Sequence, residues 1–488
     1  CHSEKEHEVR FKDNSSWQKI NYKSNGLTHY IGSTHQHSGF SDGYPGTTPA
    51  DYFQSGIDNN FDFVLGADHS DSYIIPVTLH GDCFSEKLLD CITIDPTNPF
   101  SLLKWLDFSN LSEEFTSDKF VGVRGFEWTS DRFGHINVYF SKHITNAKTD
   151  GGYVTMSTFW NWLTADPVNI FGLENILGGY GASDAIAVFN HPGDKSLVDS
   201  DSGFNWNGFE YQPKADSQMV GIEVFNDGKD YASKGRAYYQ EALDAGWHVG
   251  AVASEDHHDT NWNNTEDEKT IIMASELSTE GIKKAMKLRR TYAVRDFELR
   301  MDFKAGDELM GAQIQRKTGS IVELNAIISS KNSFYTELVS NNNEVLKQFK
   351  SPAFNYQVPV SENEKWYYLR IVNASDSSTL AYSSPIWIKG GGNKADVLTS
   401  IAEVKKESIN IYPNPSNSKQ NTYIKTERKF EAIFLIDNSG KFCNNAMLIS
   451  PNKKEAVINT RELNKGLYLI EIQFEGQTER HIERLIGE

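Results

Sequence analysis

The sequence is poor in cysteine, in long apolar runs and in positive charge, and each shortage closes off a class of protein. Its 488 residues include only four cysteines, and none stands in a C-x-x-C pair. A zinc knuckle or other soft thiolate site needs such spacing, so any metal here must be held by imidazole and carboxylate. Cys83 and Cys91 are close enough in sequence to bridge a short loop in an oxidising compartment, while Cys443 lies far from both. No run of eighteen apolar residues occurs, so no transmembrane segment is expected. Lysine and arginine number 48 against 66 aspartates and glutamates, a net charge of −18. So acidic a chain repels phosphate backbones, which excludes nucleic acid bound along its length by counterion release. A small phosphorylated substrate is not excluded, because bound divalent cations reverse the field locally. No repeat of fixed period and no Gly-x-Ser-x-Gly elbow is present, and neither Cys83 nor Cys91 lies beside a candidate ligand, so no side-chain nucleophile is expected.

What remains is a chain able to fold. Hydrophobic residues make up 38% and aromatics 12%, which is enough for globular cores and unlike a disordered chain. The length implies about two to four domains. From residue 28 to about 298, apolar strands are predicted at Phe61–Ala67, Phe120–Phe126, Ile136–Phe140, Ala185–Phe189, Val220–Phe225 and Val249–Ala253. Helical patterns fall between them, at Pro49–Ile57, Met156–Thr164, Lys234–Ala245 (stopped by Gly246) and Thr279–Arg290. Such alternation predicts a largely parallel sheet, open or closed as a barrel. After about residue 300 the helices vanish. Ile321–Ile328, Trp366–Val372 and Pro385–Ile388 read as strands of a small β-sandwich, and the glycines after Lys389 read as a flexible linker. Further short strands fill the last segment.

The histidines fall in a pattern. Thr34-His35-Gln36-His37 follows an extended stretch, where i, i+2 spacing points both imidazoles one way. Asp42 comes next, in Ser41-Asp42-Gly43. His69 follows the strand Phe61–Ala67, Glu127 follows Phe120–Phe126, and His135 opens another strand. His191 caps Ala185–Phe189, and Ser254-Glu255-Asp256-His257-His258 follows Val249–Ala253. Most of these residues sit at the carboxyl end of a predicted strand, the face where parallel barrels assemble their sites. Imidazole with carboxylate suits Zn, Mn or Fe rather than Ca, and so many donors exceed one ion's coordination. Two or three divalent ions are therefore expected as cofactors. Two non-ligand candidates lie among them: Asp68, to orient a ligand or move a proton, and Arg132, to pair with a phosphate.

At these residues the chain resembles the polymerase-and-histidinol-phosphatase (PHP) family of metallophosphoesterases. The matching motifs are His35-x-His37 with Ser41-Asp42-Gly43, Ala67-Asp68-His69, Gly125-Phe126-Glu127, His135, Asn190-His191-Pro192 and a closing Asp-x-His, spread over about residues 28–298. The resemblance implies a distorted (β/α)7 barrel with a di- or trinuclear site. By that likeness one ion takes His35, His37, Glu127 and Asp256. A second shares Glu127 and uses His135 and His191, and a third takes Asp42, His69 and His258. Asp42 stands where some members have histidine. The closing motif has two registers, Glu255-x-His257 and Asp256-x-His258. Secreted relatives carry an Asn/Asp-Trp pair after it, and Asn261-Trp262 favours Asp256 and His258. Glu255 and His257 are then left behind the ligands or against substrate.

The tail, 405–488, resembles the C-terminal sorting domain of type IX secretion substrates, through Tyr412-Pro413-Asn414-Pro415, Asp437-Asn438-Ser439-Gly440-Lys441 and Leu463-Asn464-Lys465-Gly466-Leu467-Tyr468. That implies a partner in the type IX machinery and a place outside, or on the outer membrane of, a Gram-negative bacterium of the Bacteroidetes type. Cys1 resembles the lipid-bearing start of a mature bacterial lipoprotein. The expected organisation is an N-terminal segment (1–27), a barrel (28–298), a β-sandwich (299–390), a linker (391–404) and the sorting domain (405–488). The expected activity is phosphomonoester or phosphodiester hydrolysis of a small-molecule or glycan-linked substrate by a metal-activated hydroxide. Hydrolysis of a carbon ester, amide or carbamate is the alternative, and a non-catalytic, metal-stabilised surface protein is the third reading.

Overall fold

A computed structural model of the chain describes residues 22–74, 77–79, 92–94, 101–149, 152–167, 180–194, 204–233, 235–264, 268–391, 409–412, 421–426, 429–437, 443, 446–450, 453–463, 465–474 and 480–487. Cys1, the Cys83–Cys91 pair, the linker beyond 391, and residues 413–415, 438–441 and 464 of the tail motifs lie outside them. The chain forms two compact units, residues 1–399 and 400–488.

The first unit is mixed α/β, with more sheet than helix. In one sheet Leu27–Ser33 is flanked in parallel by Phe63–Leu65 and then Val121–Val123. On its other side lies antiparallel Lys269–Ala274, followed by Thr291–Val294. A second sheet runs from Met219–Asn226 through Ile186–Phe189 and Gly134–Tyr139 to Gly125–Ser130, with Gly250–Ser254 parallel to Met219–Asn226. Bridges between Gln36 and His257 and between His69 and Glu127 tie the two sheets together at the ends that carry the histidines. At the other end Phe63, Leu65, Val188, Val220, Val252 and Ile272 form one core with Ile282 and Met286. The last two come from the helix Thr279–Lys287, which Ser278 caps by accepting the Gly281 amide at 3.0 Å. Pro49–Asp58 begins with a proline and a Thr48/Asp51 capping box. Thr291–Val294 also pairs with Thr379–Ser383. Residues on either side of 298 thus share a sheet, and Ile31 and Ile271 pack in one core with Leu324, Leu369 and Ile388.

The sheets are less parallel than the strand-helix alternation predicts. The segment expected as one strand, Phe120–Phe126, splits at Arg124, with Val121–Val123 in the first sheet and Gly125–Ser130 in the second. Gly125 makes the crossing possible, since a Cβ there would stand 2.6 Å from the Gly66 carbonyl oxygen. Gly125–Ser130 then turns back as a tight hairpin onto Gly134–Tyr139. Asn205–Phe209 form a left-handed turn, φ 46° to 69°, at roughly 1–2 kcal/mol for each residue other than glycine. Burial of Trp206 and the bond from its amide to the Phe133 carbonyl, 2.6 Å, oppose that cost. Among the described residues no helix is long and apolar enough to cross a membrane.

The second unit is all β. Asn410–Tyr412, Thr422–Lys425, Met447–Ile449 and Glu455–Ile458 form one sheet, and Phe430–Asp437, Gly466–Phe474 and Arg480–Gly487 another. Ile424, Leu435, Ile458, Ile470 and Leu485 fill the core between them.

His248 joins distant parts of the first unit. Its ring nitrogens lie 2.8 Å from Asp216 and 3.0 Å from Glu364. Burial alone would depress the imidazolium, but the two carboxylates hold its pKa up to about 9 from an ordinary 6.5. A raised folded-state pKa stabilises fully below the unfolded value and is lost as pH climbs through the folded one. Denaturant midpoints should therefore fall between about pH 6.5 and 9, and His248→Ala should flatten that part of the curve.

Candidate metal centre

The centre begins where the Leu27–Ser33 strand ends. The chain stays extended through residue 37, so His35 and His37 face one side and Gln36 the other. Gln36 bonds to Ser33 and Glu255 on that other side. The imidazoles close to 3.0 Å, Nε2 to Nε2. Donors around one ion at about 2.0–2.1 Å stand roughly 3 Å apart, so this spacing suits a shared cation. Asp256 completes the group, 3.4 Å from His35 and 3.0 Å from His37.

Glu127 lies inside the Gly125–Ser130 strand, not beyond a strand end as the sequence implied. Asn137 is its partner across the hairpin, and Thr129 faces His135 two residues on. Alternation thus sets Glu127 and His135 on one face. Glu127 Oε1 lies 3.0 Å from His135 Nδ1 and 3.1 Å from His191 Nε2. Its Oε2 lies 2.9 Å from His69 Nδ1. His69, Asp42, His37 and His258 form the remaining group, with Asp42 Oδ2 3.1 Å from His69 and 3.3 Å from His258. Three donor groups therefore meet: His35, His37 and Asp256; Glu127, His135 and His191; and His37, Asp42, His69 and His258. The residues singled out as ligands in the sequence each fall in at least one of them, and His37 belongs to two.

Backbone strain marks two of these positions. His191 has φ +24° and Asp256 φ +53°, each two residues beyond the end of a strand. Such residues persist only where the surroundings over-determine them. The His191 amide donates to Glu223 Oε2 at 2.7 Å, and the Asp256 amide to the His35 carbonyl at 3.2 Å.

The electrostatics follow from burying acids among bases. Burial opposes ionisation of Asp42, Glu127 and Asp256, yet the surrounding imidazoles hold all three below the ordinary carboxylate range. Burial also opposes charge on His35, but Asp256, Glu223 and Glu127 lift it to about 10. His69, His191 and His258 are raised against burial in the same way. His37, buried and beside His258, is lowered to about 3. Sites of this kind need positive charge among their carboxylates, and the oxygen and nitrogen donors present suit borderline divalent ions.

The residues around the donors sort by what they touch. Asp68 is buried and accepts from the Ser38 amide at 2.7 Å, from the Ser38 and Ser41 hydroxyls, and from Tyr52 at 3.4 Å. It anchors the loop that carries Asp42. Arg132 lays its guanidinium 5.3 Å from the Phe133 ring centre. Glu255 reaches buried Lys269 and accepts from the Asn263 amide at 2.7 Å. His257 contributes its carbonyl, which accepts from the His37 amide at 3.3 Å. Sequence reasoning missed Glu223, which lies 2.8 Å from His35 Nδ1 and also accepts from Asn226, Ser254 and the His191 amide. The signal available was an acid in the apolar run Val220-Gly221-Ile222-Glu223-Val224-Phe225.

Comparison with known proteins gives one match in sequence and several in structure. Residues 410–486 match the family model of the secretion system C-terminal sorting domain. The chain is similar to the crystal structure of a two-domain protein from Bacteroides vulgatus containing a predicted PHP-like metal-dependent phosphoesterase. That likeness is 18% identical, covers 76% of this chain and 99% of the other, and has a TM-score of 0.37. Extracellular domains 3–5 of Drosophila OTK align at 11% identity over 36% of this chain and 61% of theirs, TM-score 0.13. The titin domains z1z2, solved in complex with telethonin, align at 13% over 38% and 98%, TM-score 0.14. No curated protein matches the chain.

Two substitutions separate fold from centre. Glu255→Ala leaves Lys269 buried without its carboxylate and should cost about 3–5 kcal/mol of stability, read as a lowered denaturant midpoint. Glu223→Gln keeps the shape but removes the charge behind His35, and should weaken metal uptake about 10–100-fold in a competitive chelator titration. Unchanged metal affinity in Glu223→Gln would exclude that role.

Proposed function

We propose that the chain is a secreted metal-dependent phosphoesterase, its first unit a distorted (β/α)7 barrel of the PHP kind holding two or three divalent ions of Mn, Zn or Fe. The observation that carries this reading is the meeting of three donor groups around one buried carboxylate, Glu127. One ion is assigned to His35, His37, Asp256 and Glu127, a second to Glu127, His135 and His191, and a third to Asp42, His69 and His258. Such ions, when bound, supply an activated water and charge stabilisation for phosphoryl oxygens.

The protein's own groups set the geometry. His35 and His135 are buried, whereas Asp42 and His258 have side chains 44% and 41% exposed. Substrate therefore approaches from the Asp42–His258 side, where the donors are open. Glu223 holds His35 in its ring orientation, and Asp68 fixes the loop presenting Asp42. Arg132 is assigned to the substrate phosphate, where a planar guanidinium makes paired hydrogen bonds. The acidic chain leaves attraction for an anion to the ions themselves and to such local cations. The match of residues 410–486 supports a reading in which the chain is exported through a secretion system of the type IX kind and works outside the cell or on its surface.

Elemental analysis of the purified chain should find two or three Mn, Zn or Fe ions. A panel of phosphomonoesters, phosphodiesters, carboxylesters and carbamates should show turnover on phosphoesters. Fewer than one ion after reconstitution overturns the reading, and cleavage confined to carboxylesters or carbamates transfers it to the other hydrolase chemistry. Glu127→Ala should lower metal content and turnover together, while Arg132→Ala should raise KM and leave metal content unchanged. Shortening the chain to residues 1–399 should preserve turnover and abolish export.

A further inference from the structure

The sheet of the second unit that holds Thr422–Lys425 has one face in the core and one in water. Along that strand Thr422 and Ile424 are buried, while Tyr423 and Lys425 are exposed. Alternation of this kind ordinarily puts polar residues at the exposed positions. Here the register lines up Tyr412 with Tyr423, Tyr423 with Val457, and Val457 with Leu448, one residue from each of the four strands. The result is an apolar row across the whole width of the sheet on its water side. Tyr412 is 45% exposed, Tyr423 41% and Leu448 75%, and the two tyrosine rings stack with their centres 5.8 Å apart. The neighbouring row is polar, with Lys425 and Glu455 paired at 3.2 Å. The core of the unit is filled without any of the four side chains, so packing does not account for them.

We propose that this row is the face by which the secretion machinery holds the chain, docked against a complementary apolar strip on that machinery. The proposal rests on the reading that residues 410–486 direct export. All four strands that carry the row lie within the matched residues. Apolar residues scattered singly over a surface need no explanation, whereas a contiguous patch marks an interaction site. The size of this one decides the kind of partner. A stable complex or dimer buries about 800 Å² on each side, and one row of four partly exposed side chains falls well short of that. So small an interface releases readily, as an export cargo must be released and a permanent dimer need not be. The composition fits a docking face, because aromatic side chains are enriched at the centres of interfaces and charged groups at their rims. The tyrosine pair supplies the first. Lys425 and Glu455 supply the second, and because they neutralise each other the attraction is left to the apolar row.

The test is secretion of the full-length chain by a Gram-negative host that has a type IX system, read as the fraction of chain outside the cells or on their surface. The double variant Tyr423→Thr with Leu448→Thr keeps strand-forming residues at both positions but removes most of the apolar row. It should lower the exported fraction about tenfold or more, as losing a central interface side chain does. Tyr423→Phe, which removes only a hydroxyl, should be exported like the unaltered chain. So should Glu431→Gln, whose strand Phe430–Asp437 lies in the other sheet. Thermal melting of the purified double variant should match the unaltered chain, which separates recognition from folding. Leu448→Gln, at the most exposed of the four positions, takes its place if the double variant melts early. Undiminished export of these apolar-to-polar variants overturns the proposal. So does a dimer in sedimentation that the same substitutions dissociate, because the row would then join two copies of the chain. Retention of the unaltered chain, or export of residues 1–399 alone, overturns the export reading itself and the role of the row with it.

Discussion

The first unit is organised around an ionised carboxylate in a place where water cannot reach it. Glu127 is almost fully buried, and burying a charge is unfavourable unless partners surround it. His69, His135 and His191 approach its oxygens at 2.9–3.1 Å, and Asn190 donates at 2.9 Å. These partners come from three separate stretches of chain. To satisfy one acid, both sheets must bring their histidine-bearing ends together, and the His69–Glu127 bridge is where they meet. Fold and centre are thus one electrostatic problem, solved with protons or with metal.

That dependence explains which parts could be read from sequence. The His35-x-His37 pair was legible because extended backbone alternates, and alternation is local. His69 and His191 were legible because apolar runs ended just before them. Local pattern says nothing about which sheet a strand joins, so the break at Arg124 and the hairpin after it were hidden, and Glu127 was placed beyond a strand it lies within. The helix Ser101–Phe115 and the strand Lys269–Ala274 also escaped notice. The helix has no strong apolar face, and the strand mixes Lys269 and Thr270 into its apolar residues.

Glu223 was hidden for a different reason. An acid in the middle of an apolar strand contradicts the pattern that identifies the strand, and pattern-reading passes over it. Physically it is the counterpart of Glu127. It is buried, takes four hydrogen bonds, and fixes His35 and His191 from behind. Outer residues of this kind set which ring nitrogen of a histidine faces the ion. Buried acids that interrupt apolar strands near histidine motifs are therefore worth testing for this role.

The choice between Glu255 and Asp256 shows how a distant charge decides a local ambiguity. Residues two apart share a side, so Glu255 with His257 and Asp256 with His258 are equivalent readings of the same spacing. Lys269 breaks the tie. It belongs to the neighbouring Lys269–Ala274 strand and is fully buried, with the rings of Phe61 and Phe297 at 5.3 and 5.4 Å; burial pushes its ammonium well down, so it keeps its charge only with an anion within reach. Glu255 is that anion, and Gln36 and the Asn263 amide take up its other oxygen. With Glu255 turned away from the histidines, Asp256 must face them, and its left-handed backbone lets the chain turn sharply enough to do so. A buried lysine fourteen residues downstream thereby selects which carboxylate can serve a cation.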